Sequence, residues 1–167
     1  MQRRIFDTNG HAHFVTFSCY RRRRLLDSDI AKIIVTRCLS AQLKNQSGTC
    51  MGFVIMPDHV HALVHFKRPG SLSVFMNQWK RRSSMQLKNL FHQTFRPYGT
   101  KIKLTCPMWQ RKYYAFYVFS ENVLAEKLSY MHNNPVKSGL VKKSVDWSFS
   151  SAGWYAKRES VGVPITP

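Results

Sequence analysis

An α+β domain, a single unit of strands mixed among three main helices, is what this sequence predicts. Three observations predict it. The 167 residues, 44% hydrophobic and 13% aromatic, are enough for one buried core. Four short runs rich in β-branched and aromatic residues alternate with three longer stretches of helical spacing. No internal repeat or low-complexity linker divides the chain, so one domain over 1–167 is expected, with its core over about 10–155.

The first run, "HFVTFSCY" over 13–20, reads as a strand and leads into Arg21, Arg22, Arg23 and Arg24 at its end or in the next turn. Those four arginines are either phosphate contacts or solvated charges. "DSDIAKIIVTRCLSAQLKN" follows, with Asp27 or Ser28 as N-cap and Ile30, Ile33, Ile34 and Ala41 at helical spacing, until Gly48 breaks the pattern. "TCMGFVIM" and "HVHALVHF" are two apolar runs separated by Pro57 and Asp58, a strand, turn, strand signature. In the second, a period of two puts His59, His61, Leu63 and His65 on one face and Val60, Ala62, Val64 and Phe66 on the other.

A second helix is expected over "SLSVFMNQWKRRSSMQLKNLF", capped by Ser71 or Ser73, with Phe75 and Trp79 one turn apart and Lys80, Arg81 and Arg82 on its outer side. Residues 96–107 read as a loop. "MWQRKYYAFYVF" then interleaves Trp109, Tyr113, Tyr114, Phe116 and Tyr117 with Arg111 and Lys112, a mixture that suits stacked bases beside a charged backbone, although a strand buries half of such rings. In the third helix Ser120 caps, Glu121 meets the positive end of the dipole, Leu124, Leu128 and Met131 repeat at helical spacing, and Pro135 stops the run. Tyr130 and Asn134 fall four apart on one face of it. Trp147, Phe149 and Trp154 dock the tail, whose remaining residues are expected to fray.

Charge narrows the partners. Lys and Arg total 26 against 8 Asp and Glu, a net of +18. An excess of that size repels itself in the folded state and points to a polyanion, nucleic acid before a membrane surface. No window offers the roughly 18 apolar residues of a spanning helix, and the opening "MQRRIFDTNGHAHF" has no apolar core of an export signal, so a soluble, cytoplasmic protein is expected. Cys19, Cys38, Cys50 and Cys106 are scattered without a C-x-x-C pair and read as reduced, partly buried thiols.

His59 and His61 project the same way from one strand, which suits a metal, yet two histidines can equally serve as polar sheet residues. His11 and His13 share the spacing but sit beside Gly10 without a tight turn, and read as surface residues. An amide oxygen from Asn134 is an acceptable third ligand for a hard divalent ion, and Tyr130 lies one turn away from it.

"VIMPDHVHALV", followed about seventy positions later by "YMHNNPVKSGLV", resembles the single-tyrosine HUH transposases, and the "NPVKxGLV" run resembles their REP-associated branch. The closing "WSFSSAGWY" is similar to the end of many members. The resemblance implies a ferredoxin- or RRM-like antiparallel sheet with the catalytic tyrosine on a C-terminal helix. It implies Tyr130 as nucleophile, His59, His61 and Asn134 as ligands of Mg²⁺ or Mn²⁺, a 5′-phosphotyrosine intermediate with a free 3′-OH, and single-stranded DNA with hairpin structure as partner. Arg21 to Arg24, Lys80 to Arg82, Trp109, Arg111, Lys112 and Lys127 are the candidate DNA contacts, Lys127 also as a cation near Tyr130. Family members work as helix-exchanging homodimers or as monomers. A non-enzymatic single-stranded nucleic-acid-binding module with an RRM-like sheet would share the charge and the aromatics, and a metal nuclease using water would share the metal, but neither needs Tyr130.

Overall fold

The computed structural model describes residues 11–95 and 106–167, so most of the loop expected over 96–107 lies outside the described residues. Four strands, β1 (Ala12–Ser18), β2 (Gly48–Ile55), β3 (His59–Phe66) and β4 (Tyr114–Val118), form one antiparallel sheet in the order β2-β3-β1-β4. The helices α1 (Asp29–Asn45) and α2 (Ser71–Phe95) enter between β1 and β2 and between β3 and β4. Then come α3 (Glu121–Lys137) and a short α4 (Ala152–Lys157). This is the expected α+β class with a ferredoxin-like strand order.

Alternation along the central strands divides the core in two. Phe17, Phe53, Val60 and Ala62 point toward α1 and α2, where Leu39, Phe75 and Trp79 close over them. Phe14, Val54 and Leu63 point the other way, toward Met131 of α3. The β2–β3 turn is held from outside: Leu26 N–H donates to Pro57 O at 2.9 Å and Cys19 N–H to Asp58 O at 2.8 Å.

Several expectations need correction. The helix α1 does not bury two of its three isoleucines: Ile30 is 59% exposed and Ile33 37%, while Ile34 packs against the core and Lys32 is 2% exposed. The Lys32 ammonium donates to Asp27 O at 2.8 Å and Asp29 Oδ1 at 2.9 Å and lies 4.8 Å from the centre of the Phe149 ring, so a charged residue is buried because its donors are satisfied. The left-handed residue that ends α1 is Ser47, with φ 50°, and Gly48 already belongs to β2.

Pro135 does not stop α3, which runs on to Lys137. The stop is Gly139, with φ 68°: Gly139 N–H donates to Val136 O and Leu140 N–H to Pro135 O, both at 2.9 Å, the paired closure of a Schellman motif.

The tail does not fray. Ile55 N–H donates to Phe149 O, Ser151 N–H to Phe53 O and Thr166 N–H to Cys50 O, so the chain returns along the outer border of β2 and satisfies groups that an edge strand leaves open. His13, expected at the surface, is 2% exposed. Trp109 is likewise core: it is 5% exposed, meets Phe17 edge to face at 4.7 Å and donates Nε1–H to Ser83 Oγ, which leaves no ring face for a base.

Candidate active site

Because β3 pairs antiparallel with β1, Thr16 stands directly across from His61 and Ser18 across from His59. Both imidazoles are buried, His59 at 8% and His61 at 4% exposure, with ring centres 4.8 Å apart. Each has its Nδ1 engaged, His59 with Asp58 Oδ1 at 2.6 Å and His61 with Thr16 Oγ1 at 2.7 Å. A carboxylate can only accept, so His59 carries its proton on Nδ1 and keeps its lone pair on Nε2. Burial pushes the His61 pKa down to about 3, with the neighbouring His59 and Arg22 acting in the same direction. Burial also lowers that of His59, against the pull of Asp58. Both rings are therefore neutral near pH 7, the form in which imidazole ligates.

The helix α3 supplies the opposite wall. Ser120 caps it, its Oγ accepting from Val123 N–H at 3.3 Å, and Met131 and Pro135 bury one side against the sheet. Gly52 of β2 allows the close approach: a Cβ there would come within 2.6 Å of Leu128 Cδ2 and 2.8 Å of Met131 Cε. At that depth the i, i+4 pair Tyr130 and Asn134 faces His61. The Asn134 amide nitrogen is 3.2 Å from His61 Nε2, and the Tyr130 ring meets the rings of His61 at 5.5 Å and Phe14 at 6.2 Å. Tyr130 stays 45% exposed at the edge of an open cavity of about 340 Å³, lined also by Thr16, Tyr114, Glu126 and Lys127.

The cations beside this cavity divide between two aromatic groups. Lys127 Nζ lies 4.8 Å from the centre of the Phe116 ring and 3.3 Å from Glu126 Oε1. The cation over Tyr130 is Lys137, at 5.5 Å from the ring centre. Sequence reading missed it, although it stands two turns beyond Tyr130 on the same face. His132 turns away, to Ser151 Oγ at 2.8 Å, and burial pushes its pKa down to about 4. His65 sits half-buried at the far end of β3, between Ala12 and Thr49.

The candidate DNA contacts separate by their bonding. Arg22 pairs with Asp58 at 2.9 Å, Arg24 with Asp27 at 2.7 Å, and Arg23 donates to Pro107 O at 2.9 Å. The Arg21 guanidinium lies 5.3 Å from the Tyr20 ring centre. Lys80 donates to Gln110 O at 2.7 Å and Arg111 O at 2.9 Å, a brace between α2 and the segment before β4, and burial lowers its pKa. Arg81, Arg82, Arg111 and Lys112 are exposed.

Among the described residues no three His, Cys, Asp or Glu side chains converge on a metal position, and no helix is long and apolar enough to cross a membrane. Beside the two histidines stands an amide, Asn134, whose nitrogen is 3.2 Å from His61 Nε2.

The chain is similar over 104 residues, at 28% identity, to a Haemophilus influenzae protein described as a REP-associated tyrosine transposase; the match spans 58% of this chain and about half, 54%, of that relative. Its fold is that of a solved REP-associated tyrosine transposase bound to a REP hairpin, with a TM-score of 0.72 at 19% identity over 99% of this chain and 92% of the other. A transposase structure from Deinococcus radiodurans matches with a TM-score of 0.53 at 17% identity, over 80% of this chain and 97% of the other. The family model described as "Transposase IS200 like" matches residues 7–134, from before β1 through the Tyr130 and Asn134 positions, and the chain therefore belongs to the IS200-like transposase family.

Proposed function

We propose that the chain is a metal-dependent transposase of single-stranded DNA that cleaves and rejoins strands beside hairpins through a tyrosine nucleophile. The observation that supports this above any other is the convergence of Tyr130 and Asn134, from α3, on the His59–His61 pair of β3. A nucleic-acid-binding sheet without catalysis has no need of a half-exposed tyrosine over two buried neutral imidazoles.

The donor set fits a divalent cation. Two neutral imidazoles stand with ring centres 4.8 Å apart, their Nδ1 atoms held by Asp58 and Thr16 as outer partners hold metal-bound histidines. The Asn134 amide has its nitrogen toward His61; turning it over brings the oxygen, a hard ligand, to the same place. Mg²⁺ or Mn²⁺ held by His59, His61 and Asn134 would supply Lewis-acid polarisation of the scissile phosphate.

In the step itself the Tyr130 Oη bonds to phosphorus as the bond from phosphorus to the 3′ oxygen breaks. The phenolic proton passes to solvent or to the leaving oxygen, which ends as a free 3′-OH. The 5′-phosphotyrosine conserves the phosphodiester energy, so a later 3′-OH can attack it and reseal without a nucleotide cofactor. Lys137 lies over the tyrosine ring and favours negative charge developing there, while the exposed ring of Tyr114 lines the cavity. The contacts of helix α3 with the sheet of its own chain support action as a monomer.

The test is a denaturing gel of labelled single-stranded hairpin oligonucleotides after incubation with Mg²⁺ or Mn²⁺. The parent is expected to form a covalent adduct and Tyr130→Phe none. Cleavage by Tyr130→Phe at the parental rate would show that water is the nucleophile, and binding without cleavage by the parent would favour the non-enzymatic module.

A further inference from the structure

The turn after β1 contains two consecutive non-glycine residues in the left-handed region, Arg21 and Arg22, each with φ 56°. That conformation is uncommon and strained for residues with a Cβ, so contacts elsewhere must hold it. The contacts are those of Arg22. Its Nε lies 2.9 Å from Asp58 Oδ2 and one of its terminal nitrogens donates to Ser18 Oγ at 2.9 Å. The second oxygen of the same carboxylate, Asp58 Oδ1, is the one that accepts from His59 Nδ1 at 2.6 Å. The main chain braces the arrangement, since Cys19 N–H, just before the strained turn, donates to Asp58 O.

We infer that Arg22 and Asp58 are positioning residues for the candidate metal site: the strained turn aims Arg22 at Asp58, which locks the His59 ring in the tautomer that offers Nε2. The inference rests on the metal-dependent reading above and deepens it. It also gives Arg22 a role other than the phosphate contact expected of a basic run. Asp58 is 21% exposed in its side chain, and without Arg22 it could turn to solvent and release the ring. With both oxygens engaged, the carboxylate has one orientation that satisfies Arg22 and His59 together. His61 has no such device: its Nδ1 partner is the neutral hydroxyl of Thr16, fixed by strand pairing alone.

The experiment reads tautomer and metal affinity, not turnover. In the metal-free protein, nitrogen NMR of the imidazoles is expected to show His59 protonated at Nδ1 only. Arg22→Gln and Asp58→Ala are expected to shift it toward a mixture of tautomers and to weaken Mn²⁺ binding, measured by calorimetry, by about tenfold or more. Arg22→Lys, which keeps the charge, is expected to recover part of both. Binding of a hairpin oligonucleotide in the presence of a chelator, measured on the same variants, separates a lost phosphate contact from a lost ring orientation, and Arg22→Lys serves as the charge-keeping comparison if Asp58→Ala folds poorly.

The inference is overturned if the parent shows the Nε2-protonated tautomer, or if Arg22→Gln keeps the parental nitrogen shifts and Mn²⁺ affinity. Loss of hairpin binding in chelator alongside the latter would make Arg22 a phosphate contact. Should the parent take up no Mn²⁺, the metal reading fails, and the tautomer measurement still decides whether Arg22 and Asp58 set the ring.

Discussion

On one side of the sheet Trp79 meets Phe17 edge to face at 4.8 Å and donates its Nε1–H to Val35 O, fully buried between two long helices. On the other side Phe14 lies in contact with His61 and Tyr130, beside a cavity open to solvent. Both sides are read from the same strands, one residue out of phase. The first is covered from edge to edge by α1 and α2. The second carries α3 over part of its width and leaves the rest to polar and aromatic groups. One face thus carries the stability and the other has room for a ligand, and substitutions on the two should separate these properties.

The sharpest separation is expected from Trp79→Ala, which should cost about 3–5 kcal/mol by urea unfolding because it removes a fully buried indole. A loss under about 1 kcal/mol would mean that the α1/α2 face does not carry the fold. Gly52→Ala, on the α3 side, should affect both properties. The added methyl meets the ends of Leu128 and Met131, so a loss of about 1–3 kcal/mol is expected together with a lower yield of covalent adduct, as α3 is pushed off the sheet. Lost stability with an unchanged adduct yield would show that helix depth does not set the position of Tyr130.

Thr16→Val is expected to cost about 1 kcal/mol, by leaving His61 Nδ1 without its hydroxyl, and to weaken Mn²⁺ binding measured by calorimetry. A smaller effect comes from acid. His132 has a folded-state pKa pushed below its unfolded value, so the unfolded chain takes up its proton first; stability is full above about 6.5 and falls as the pH drops toward about 4. His61 contributes in the same direction, so His132→Gln should lose less stability between pH 7 and pH 5 than the parent, by urea titration at both. Equal losses would place the acid response elsewhere. The least stability change, within about 0.5 kcal/mol, is expected from Tyr130→Phe, whose hydroxyl sits on the half-exposed ring.

The parts of this protein that sequence revealed are those set by local periodicity. The alternation of "HVHALVHF" put His59 and His61 on one face before any partner strand was known, and the i, i+4 spacing did the same for Tyr130 and Asn134. What stayed hidden depends on groups distant in the chain. Lys32 is buried because Phe149 and the carbonyl of Asp27 receive it, and nothing local marks a lysine as interior while Ile30 faces solvent. Trp109, among cations, has the composition of a base-stacking residue; only the position of Ser83 and Phe17 makes it core. Thr16 and Lys137 join the site through strand pairing and through a second helical turn; Thr16 leaves no signature in a short motif, and the "NPVKxGLV" run that contains Lys137 does not by itself say that its side chain reaches back to Tyr130.

The border of β2 has a bearing on synthesis. Phe53 N–H bonds to the hydroxyl of Ser151, 98 positions further along. The hairpin it forms with β3 can close as soon as both strands are made, whereas its outer border waits for the residues from Phe149 onward. Until residues 149–166 are made, the nascent chain therefore carries an unpaired strand edge next to an apolar hairpin, a template for self-association that the later segment removes.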